Sequence, residues 1–320
     1  MDLPMKIFDP LAILNQELSQ LNLRDFAELV EDGWKFLNNP VSGYETPWKN
    51  IGDLFKFVPG EVTLLSGYTG QGKSEIVTHM AIHAISQGAR AMIASLEMSA
   101  GQIHSRITKQ VTGCDDITRQ YYERVSNHFK DKLYIFDTRG VADIKKILEG
   151  GRLLNGINNY DFFVFDNLMM LDSKSDDYNK QLENVQLMVE FAKTLNVCVV
   201  LVAHSRKPNN KSGDGRITRD FSPPGIYEVM GASGVANLVD NHISLTINTT
   251  KKRALDKLAN GADVSMLTES ELNSLEMGDS ILKRDKKREY GDYFLKYLYY
   301  DKRFRVLKDF ESQQPKVYVD

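Results

Sequence analysis

Val62-Thr-Leu-Leu-Ser-Gly67-Tyr-Thr-Gly-Gln-Gly-Lys73-Ser74 decides the fold. Its first half, Val62 to Leu65, is an apolar run of strand length. Its second half satisfies G-x-x-x-x-G-K-[ST], after a strand and at the opening of a helix, where that pattern binds phosphate. The glycines let the chain fold back so that backbone N–H groups point at phosphate oxygens. The helix N-terminus adds its partial positive charge. The candidate nucleotide-binding residues are Gly67, Thr69, Gly70, Gly72, Lys73, Ser74 and Glu75. Lys73 is placed to reach the β and γ phosphates, and Ser74 to ligate Mg²⁺.

Outward from this loop, apolar strand-length runs alternate with helix-length segments. The runs are Val62-Leu65, Ala91-Leu96, Leu133-Phe136, Phe162-Phe165 and Val197-Val202; helices are expected from about Lys73, Ala100, Val141 and Tyr178. Continuously apolar runs fit strands buried on both faces of a parallel sheet. The alternation predicts a doubly wound α/β domain, with a mostly parallel central sheet. A further strand is expected within Val239 to Ile247. Ser280 to Leu307 reads as two or three strands with a turn at Tyr290-Gly-Asp292, antiparallel hairpins that finish the sheet. Lys251 to Met277 is polar and reads as an insertion.

Ligands of such sheets bind beyond the carboxyl ends of the strands, and three polar residues end apolar runs there. Asp166 closes Phe162-Phe-Val-Phe-Asp166, where a Mg²⁺-holding carboxylate belongs. Glu97 ends Ala91-Met-Ile-Ala-Ser-Leu-Glu97; it either polarises an attacking water or serves the next helix as a capping acid. His204 ends Val199-Val-Leu-Val-Ala-His204, where a polar donor can sense a γ-phosphate or simply be structural. The polar, glycine-bearing loop that follows contains Arg206, Lys207 and Lys211, three cations available to nucleic-acid phosphates. The densest basic run is Lys283-Arg-Asp-Lys-Lys-Arg288. It is either an arginine finger for a neighbouring subunit or a charged hairpin edge that blocks aggregation.

The chain has 320 residues, 40 Lys+Arg against 43 Asp+Glu and 42% hydrophobic residues, which excludes a disordered or collagen-like chain. A net charge of -3 excludes coating of nucleic acid by bulk positive charge, so any such site is a local basic patch. Cys114 and Cys198 match no metal-ligand spacing, and Cys198 sits in an apolar run, as a buried thiol does. With no signal segment and no apolar stretch of membrane-spanning length, the expectation is a cytoplasmic chain that meets no membrane. Residues 1–45 read as a helical N-terminal arm, with apolar residues at helical spacing from Leu14 to Leu37. The arm either packs on its own domain or docks on a neighbouring subunit. Residues 46–320 form the core domain.

Taken together these residues resemble the hexameric replicative helicases of the DnaB type, especially the helicase half of phage primase-helicases and the mitochondrial Twinkle helicase. The resemblance covers about residues 45 to 307. Phe57-Val-Pro-Gly-Glu-Val-Thr-Leu-Leu-Ser-Gly67 is similar to the family's lead-in to its phosphate loop. Ser95-Leu-Glu-Met-Ser99 is similar to the segment that carries the catalytic glutamate, Phe165-Asp166-Asn-Leu to the metal-holding strand, and Val202-Ala-His204 to the sensor before the DNA-binding loop. Lys286-Lys-Arg288-Glu-Tyr-Gly-Asp292 resembles the lysine-x-arginine finger, and Gly231 to Asp240 the stretch near the DNA channel. Met230 stands where relatives can carry a basic residue, and no primase module or zinc-ribbon cysteines accompany the core.

The resemblance implies a RecA-like P-loop ATPase core and a homo-hexameric ring. ATP (or another NTP or dNTP) with Mg²⁺ would sit between subunits. Lys73, Glu97 and His204 would be catalytic with Arg288 given in trans beside Lys286, Ser74 and Asp166 would hold the metal, and Arg206, Lys207 and Lys211 would meet DNA. It further implies single-stranded and forked DNA as substrate, a primase and a polymerase of the same replisome as partners, and the host cytoplasm if the chain is phage-encoded. The rival readings are a RecA-type recombinase filament, a KaiC-like nucleotide-switched assembly protein and a helicase loader.

Overall fold

The computed structural model describes residues 23–38, 42–114, 116–138, 142–171, 178–206, 222–231, 234–288 and 291–319. The chain divides into two units after Ser42. In the first, Asp25 caps a short 3-10 turn, Phe26–Leu29, by accepting from the Ala27 N–H, and the helix Val30–Asn38 follows. Phe26, Val30, Trp34 and Leu37 recur at helical spacing on this unit, and all four are exposed.

The second unit begins with two short paired strands, β1 (Tyr44–Glu45) and β2 (Lys56–Phe57). Its centre is a sheet of nine described strands: β3 (Val62–Gly67), β4 (Ala91–Ser95), β5 (Leu133–Phe136), β6 (Phe162–Asp166), β7 (Cys198–His204), β8 (Asn241–Ile247), β9 (Ser280–Lys286), β10 (Phe294–Asp301) and β11 (Val306–Lys308). Their order is β11-β10-β9-β8-β3-β7-β6-β4-β5. The six strands from β8 to β5 run parallel, and β9, β10 and β11 continue the sheet antiparallel. The mostly parallel α/β sheet with antiparallel closing hairpins is as the sequence predicts.

The strands bury both faces because their neighbours do. Leu65, Ile93, Val164 and Val200 pack with the helices Lys73–Ser86 and Ala100–Thr112. Leu64, Met92, Phe163 and Leu201 pack on the opposite face with the helices Ile144–Asn158 and Tyr178–Leu195. Alternate residues of each strand therefore feed two different cores. At about 1.5–3 kcal/mol for each fully buried large apolar side chain, these two layers hold the sheet that carries the site.

Two elements differ from the sequence reading. A helix, Arg119–Phe129, lies between Thr112 and β5 where none is expected; Thr118 caps it, and it buries only Val125 and Phe129. The segment read as a polar insertion is a helical hairpin between β8 and β9, made of Thr249–Ala259 and Glu269–Leu275. Lys257 and Glu271 pair across it at 2.8 Å. Among the described residues no helix is long and apolar enough to cross a membrane.

Candidate nucleotide site

The loop between β3 and the helix Lys73–Ser86 is shaped by glycines that tolerate no side chain or need a left-handed backbone. A Cβ on Gly67 would collide with the carbonyl oxygen of Leu245 on neighbouring β8. Gly70 and Gly72 have φ of 78° and 84°, the region open to glycine, and Gly72 caps the helix. Lys73 follows, buried, and its Nζ donates to the carbonyls of Gly67 and Tyr68, both at 2.9 Å. Its third neighbour is His204 Nδ1 at 3.1 Å. Burial lowers the Lys73 ammonium to about 8, and the charges of Asp166 and Glu97 oppose the shift.

Parallel pairing of β3, β7, β6 and β4 brings their carboxyl ends to one edge. Asp166, almost fully buried, sits there and accepts a hydrogen bond from Ser74. Burial holds its carboxyl above the usual range, while Ser74 opposes the shift and Glu97 adds to it. Glu97, half-exposed, accepts from the amide of Asn167 and lies 3.4 Å from His204 Nε2. Asn167 Nδ2 is 3.1 Å from the same ring nitrogen. The His204 ring thus meets Lys73 at Nδ1 and both Asn167 and Glu97 at Nε2. Thr69 Oγ1 stands 3.5 Å from His204 Nδ1. One imidazole thus spans the phosphate loop and the strand-end carboxylate.

Glu75 turns toward the antiparallel end of the sheet, where it pairs with Arg305 at 2.7 Å and accepts from the Tyr300 hydroxyl at 3.0 Å. These three residues, with Gln71, Ile247 and Leu307, line a cavity of about 280 Å³ beside the loop. Arg206 is exposed after β7, its backbone N–H bonded to Glu228 O at 2.8 Å; Lys207 and Lys211 lie outside the described residues. Lys286 and Arg288 are not in this cluster. Lys286 is opposite His242 at the start of β8, whose far end adjoins Gly67, so both lie at the other end of the sheet. There Lys286 donates to Ala236 O, and Arg288 pairs with Asp240 at 2.8 Å.

Two residues of the site have no role in the sequence reading. Asn167 directly follows the strand-end acid, and that adjacency is the signal that would have found it. Arg106, on the helix Ala100–Thr112, stands near the charges of Glu75 and Asp166; burial lowers its guanidinium, and its Nε has no hydrogen-bond partner among the described residues. A partly buried cation within the electrostatic reach of two carboxylates beside a phosphate loop is suited to a phosphate oxygen. No group of three or more His, Cys, Asp or Glu among the described residues forms a protein-only metal cage. The Ser74 hydroxyl and Asp166 carboxylate are instead the sparse, hard oxygen set that Mg²⁺ takes alongside phosphates and water.

Residues 37–210, more than half of the chain, match the AAA domain family model. Over 258 residues the chain is 25% identical to a Twinkle homolog protein, chloroplastic/mitochondrial, of Arabidopsis thaliana, with 72% of this chain and 35% of that protein covered. The chain thus spans about a third of that relative's length. The structure superposes on a solved DnaB-like replicative helicase, described with its interactions with primase, at TM-score 0.68 and 14% identity, covering 95% of this chain and 72% of that one. It superposes on the ATPase domain of G40P at TM-score 0.66 and 13% identity, covering 89% and 97%. These likenesses establish a shared fold, the RecA-like core.

Proposed function

The chain belongs to the AAA domain family, and from that premise we propose that it is the motor domain of a ring-forming replicative DNA helicase, driven by hydrolysis of ATP or another NTP. One observation carries the reading: a single hydrogen-bonded cluster of Lys73, His204, Asn167 and Glu97, at the root of the basic loop that begins with Arg206. A motor needs that link, because loss of the γ-phosphate must be felt where DNA is held.

In this mechanism Lys73 exchanges its contacts to loop carbonyls for phosphate oxygens. The cavity lined by Tyr300 and Arg305 takes the nucleoside. Ser74 and Asp166 hold Mg²⁺, which when bound neutralises phosphate charge. Glu97, fixed by Asn167, orients a water and takes its proton as the water oxygen bonds to the γ-phosphorus and the diphosphate leaves. His204 touches both partners of that step. It moves when the phosphate goes, and with it the segment carrying Arg206, Lys207 and Lys211, which grips single-stranded DNA through phosphates. Arg288 points away from its own site and serves the next subunit's nucleotide. The exposed stripe of Phe26, Val30, Trp34 and Leu37 docks the N-terminal arm on a neighbouring copy. A primase and a polymerase of the same replisome are the partners this reading carries, in the cytoplasm of a host cell if the chain is phage-encoded.

The deciding experiment is unwinding of a forked duplex by the protein with Mg²⁺ and ATP, beside Lys73→Ala. Strand separation that disappears in the variant is the expected result. Hydrolysis stimulated by single strands without unwinding would favour a recombinase filament. No response to DNA at all would favour a nucleotide-switched assembly protein.

A further inference from the structure

Two buried polar side chains and a partly buried carboxylate cross the sheet beneath the phosphate loop, and the motor chemistry uses none of them. Ser66, the residue before Gly67 on β3, lies 2.7 Å from His242 Nε2 on β8. His242 Nδ1 bonds the carboxylate of Asp285 on β9. Ser66 and His242 are 0% exposed. Burial opposes the charge of Asp285, yet the bond and charge of His242, together with Lys283, hold its carboxyl below the usual range. Asp285 also accepts the Ile226 N–H at 3.2 Å, in the segment that follows the basic loop.

Serine, histidine and aspartate in this order resemble a nucleophile and its base. Here the serine is sealed in the sheet and no substrate reaches it, so the line holds position. What it holds follows from the strand order. Ser66 adjoins the phosphate loop, and Asp285 directly precedes Lys286 and stands three residues from Arg288. The β8–β9 register slips between His242 and Ile243, so the backbone ladder is interrupted where the side chains meet. The other face of β9 is fixed by Arg284, which donates to Asn241 at 2.6 Å and Leu54 O at 2.7 Å and lies over the Phe55 ring. Asp285 is the matching anchor on the opposite face.

We propose that Ser66, His242 and Asp285 are positioning residues that tie each subunit's phosphate loop to the Lys286–Arg288 segment it offers to the next subunit. The inference rests on the reading of Arg288 as a finger acting in trans. The line thereby fixes where the finger segment sits relative to the rest of its own subunit, whether or not that subunit's loop holds nucleotide. Largely buried polar lines of this kind suit such a task, because a bonded network specifies one arrangement and a broken one is costly.

The test mixes subunits before assembly and reads hydrolysis of ATP with Mg²⁺ and single-stranded DNA. The control mixes Lys73→Ala with Arg288→Ala, which together rebuild sites from one intact loop and one intact finger. In the first mixture the Lys73→Ala subunit also carries His242→Leu, so the relay is broken only where the finger comes from. In the second mixture His242→Leu sits on the Arg288→Ala subunit, where the loop comes from. The expected result is a drop of about tenfold in recovered hydrolysis in the first mixture and less than about twofold in the second. Asp285→Asn, which keeps shape and loses charge, is run through the same mixtures so that a folding defect in His242→Leu does not decide the matter. Equal loss in both mixtures, loss confined to the second, or no loss overturns the proposal. No recovery in the control instead removes the trans reading, and the proposal with it.

Discussion

Arg288 and Lys73 of one chain stand at opposite ends of the same sheet: Lys73 at the carboxyl edge of β3, and Arg288 paired with Asp240 where Asp240 also accepts the Val62 N–H that begins β3. Across a six-residue strand at about 3.3 Å per residue, the two cannot meet one nucleotide. Binding and hydrolysis are therefore expected to separate. Lys73→Ala should abolish binding of a fluorescent ATP analogue. Arg288→Ala should leave that binding within about twofold while lowering hydrolysis by about 10³-fold or more, the range known for arginine fingers. Equal damage to binding by both would place Arg288 in its own chain's site.

Glu97 is held by Asn167 rather than by its own strand, and this separates two kinds of loss. On the proposed role of Glu97 as proton acceptor, Glu97→Gln should lower kcat about 10²–10⁴-fold with KM nearly unchanged. Asn167→Ala leaves the carboxylate in place but untethered, and a drop in kcat of about tenfold is expected. Steady-state hydrolysis of both variants checks the order. An Asn167→Ala rate equal to that of the parent would show that Glu97 needs no such support.

The phosphate loop, Asp166, Glu97 and His204 were legible because each is a polar residue placed by an apolar run, and parallel strands end at one edge. Arg106 was not. It is one cation on a mixed helix face, and only the packing of that helix beside Glu75 and Asp166 gives it meaning. His242 and Asp285 were hidden for another reason: their meeting requires β9-β8-β3 as neighbours, and strand order is not written in any single strand. The helix Arg119–Phe129 escaped because it buries just two apolar residues, too few for a periodic signal. The hairpin after β8 escaped because its helices are joined by polar pairs such as Lys257–Glu271.

Two histidines on the helix behind the phosphate loop make stability depend on pH. His79 Nε2 and His83 Nδ1 both face the Tyr318 hydroxyl, at 3.2 and 3.1 Å. Burial lowers His79 to about 3, with His83 and Lys316 adding to it. Burial, with Lys316, lowers His83 to about 4, against the pull of Glu45. In the unfolded chain both titrate near 6.5. Between those values the unfolded state binds more protons, so stability is full above about pH 6.5 and falls as pH drops toward about 4. Thermal melts across that window should show Tm falling with acidity. The slope should be shallower in His79→Gln/His83→Gln; an unchanged slope would assign it elsewhere.

Salt dependence tests the basic loop without any structure of the complex. If Arg206, Lys207 and Lys211 each meet a phosphate, they release three counterions on binding single-stranded DNA. Each contributes about 0.7 to the slope of log K against log salt. Replacing all three with alanine should reduce the magnitude of that slope by about 2, and do so equally for sequences of different composition. Titrations in the presence of a non-hydrolysed ATP analogue keep the His204 end of the loop in one state while the slope is read. Weakened affinity with an unchanged slope would mean that the substitutions disturbed the segment around Glu228 and Met230, to which the chain at His204 and Arg206 is bonded, and that the phosphates are held by other residues.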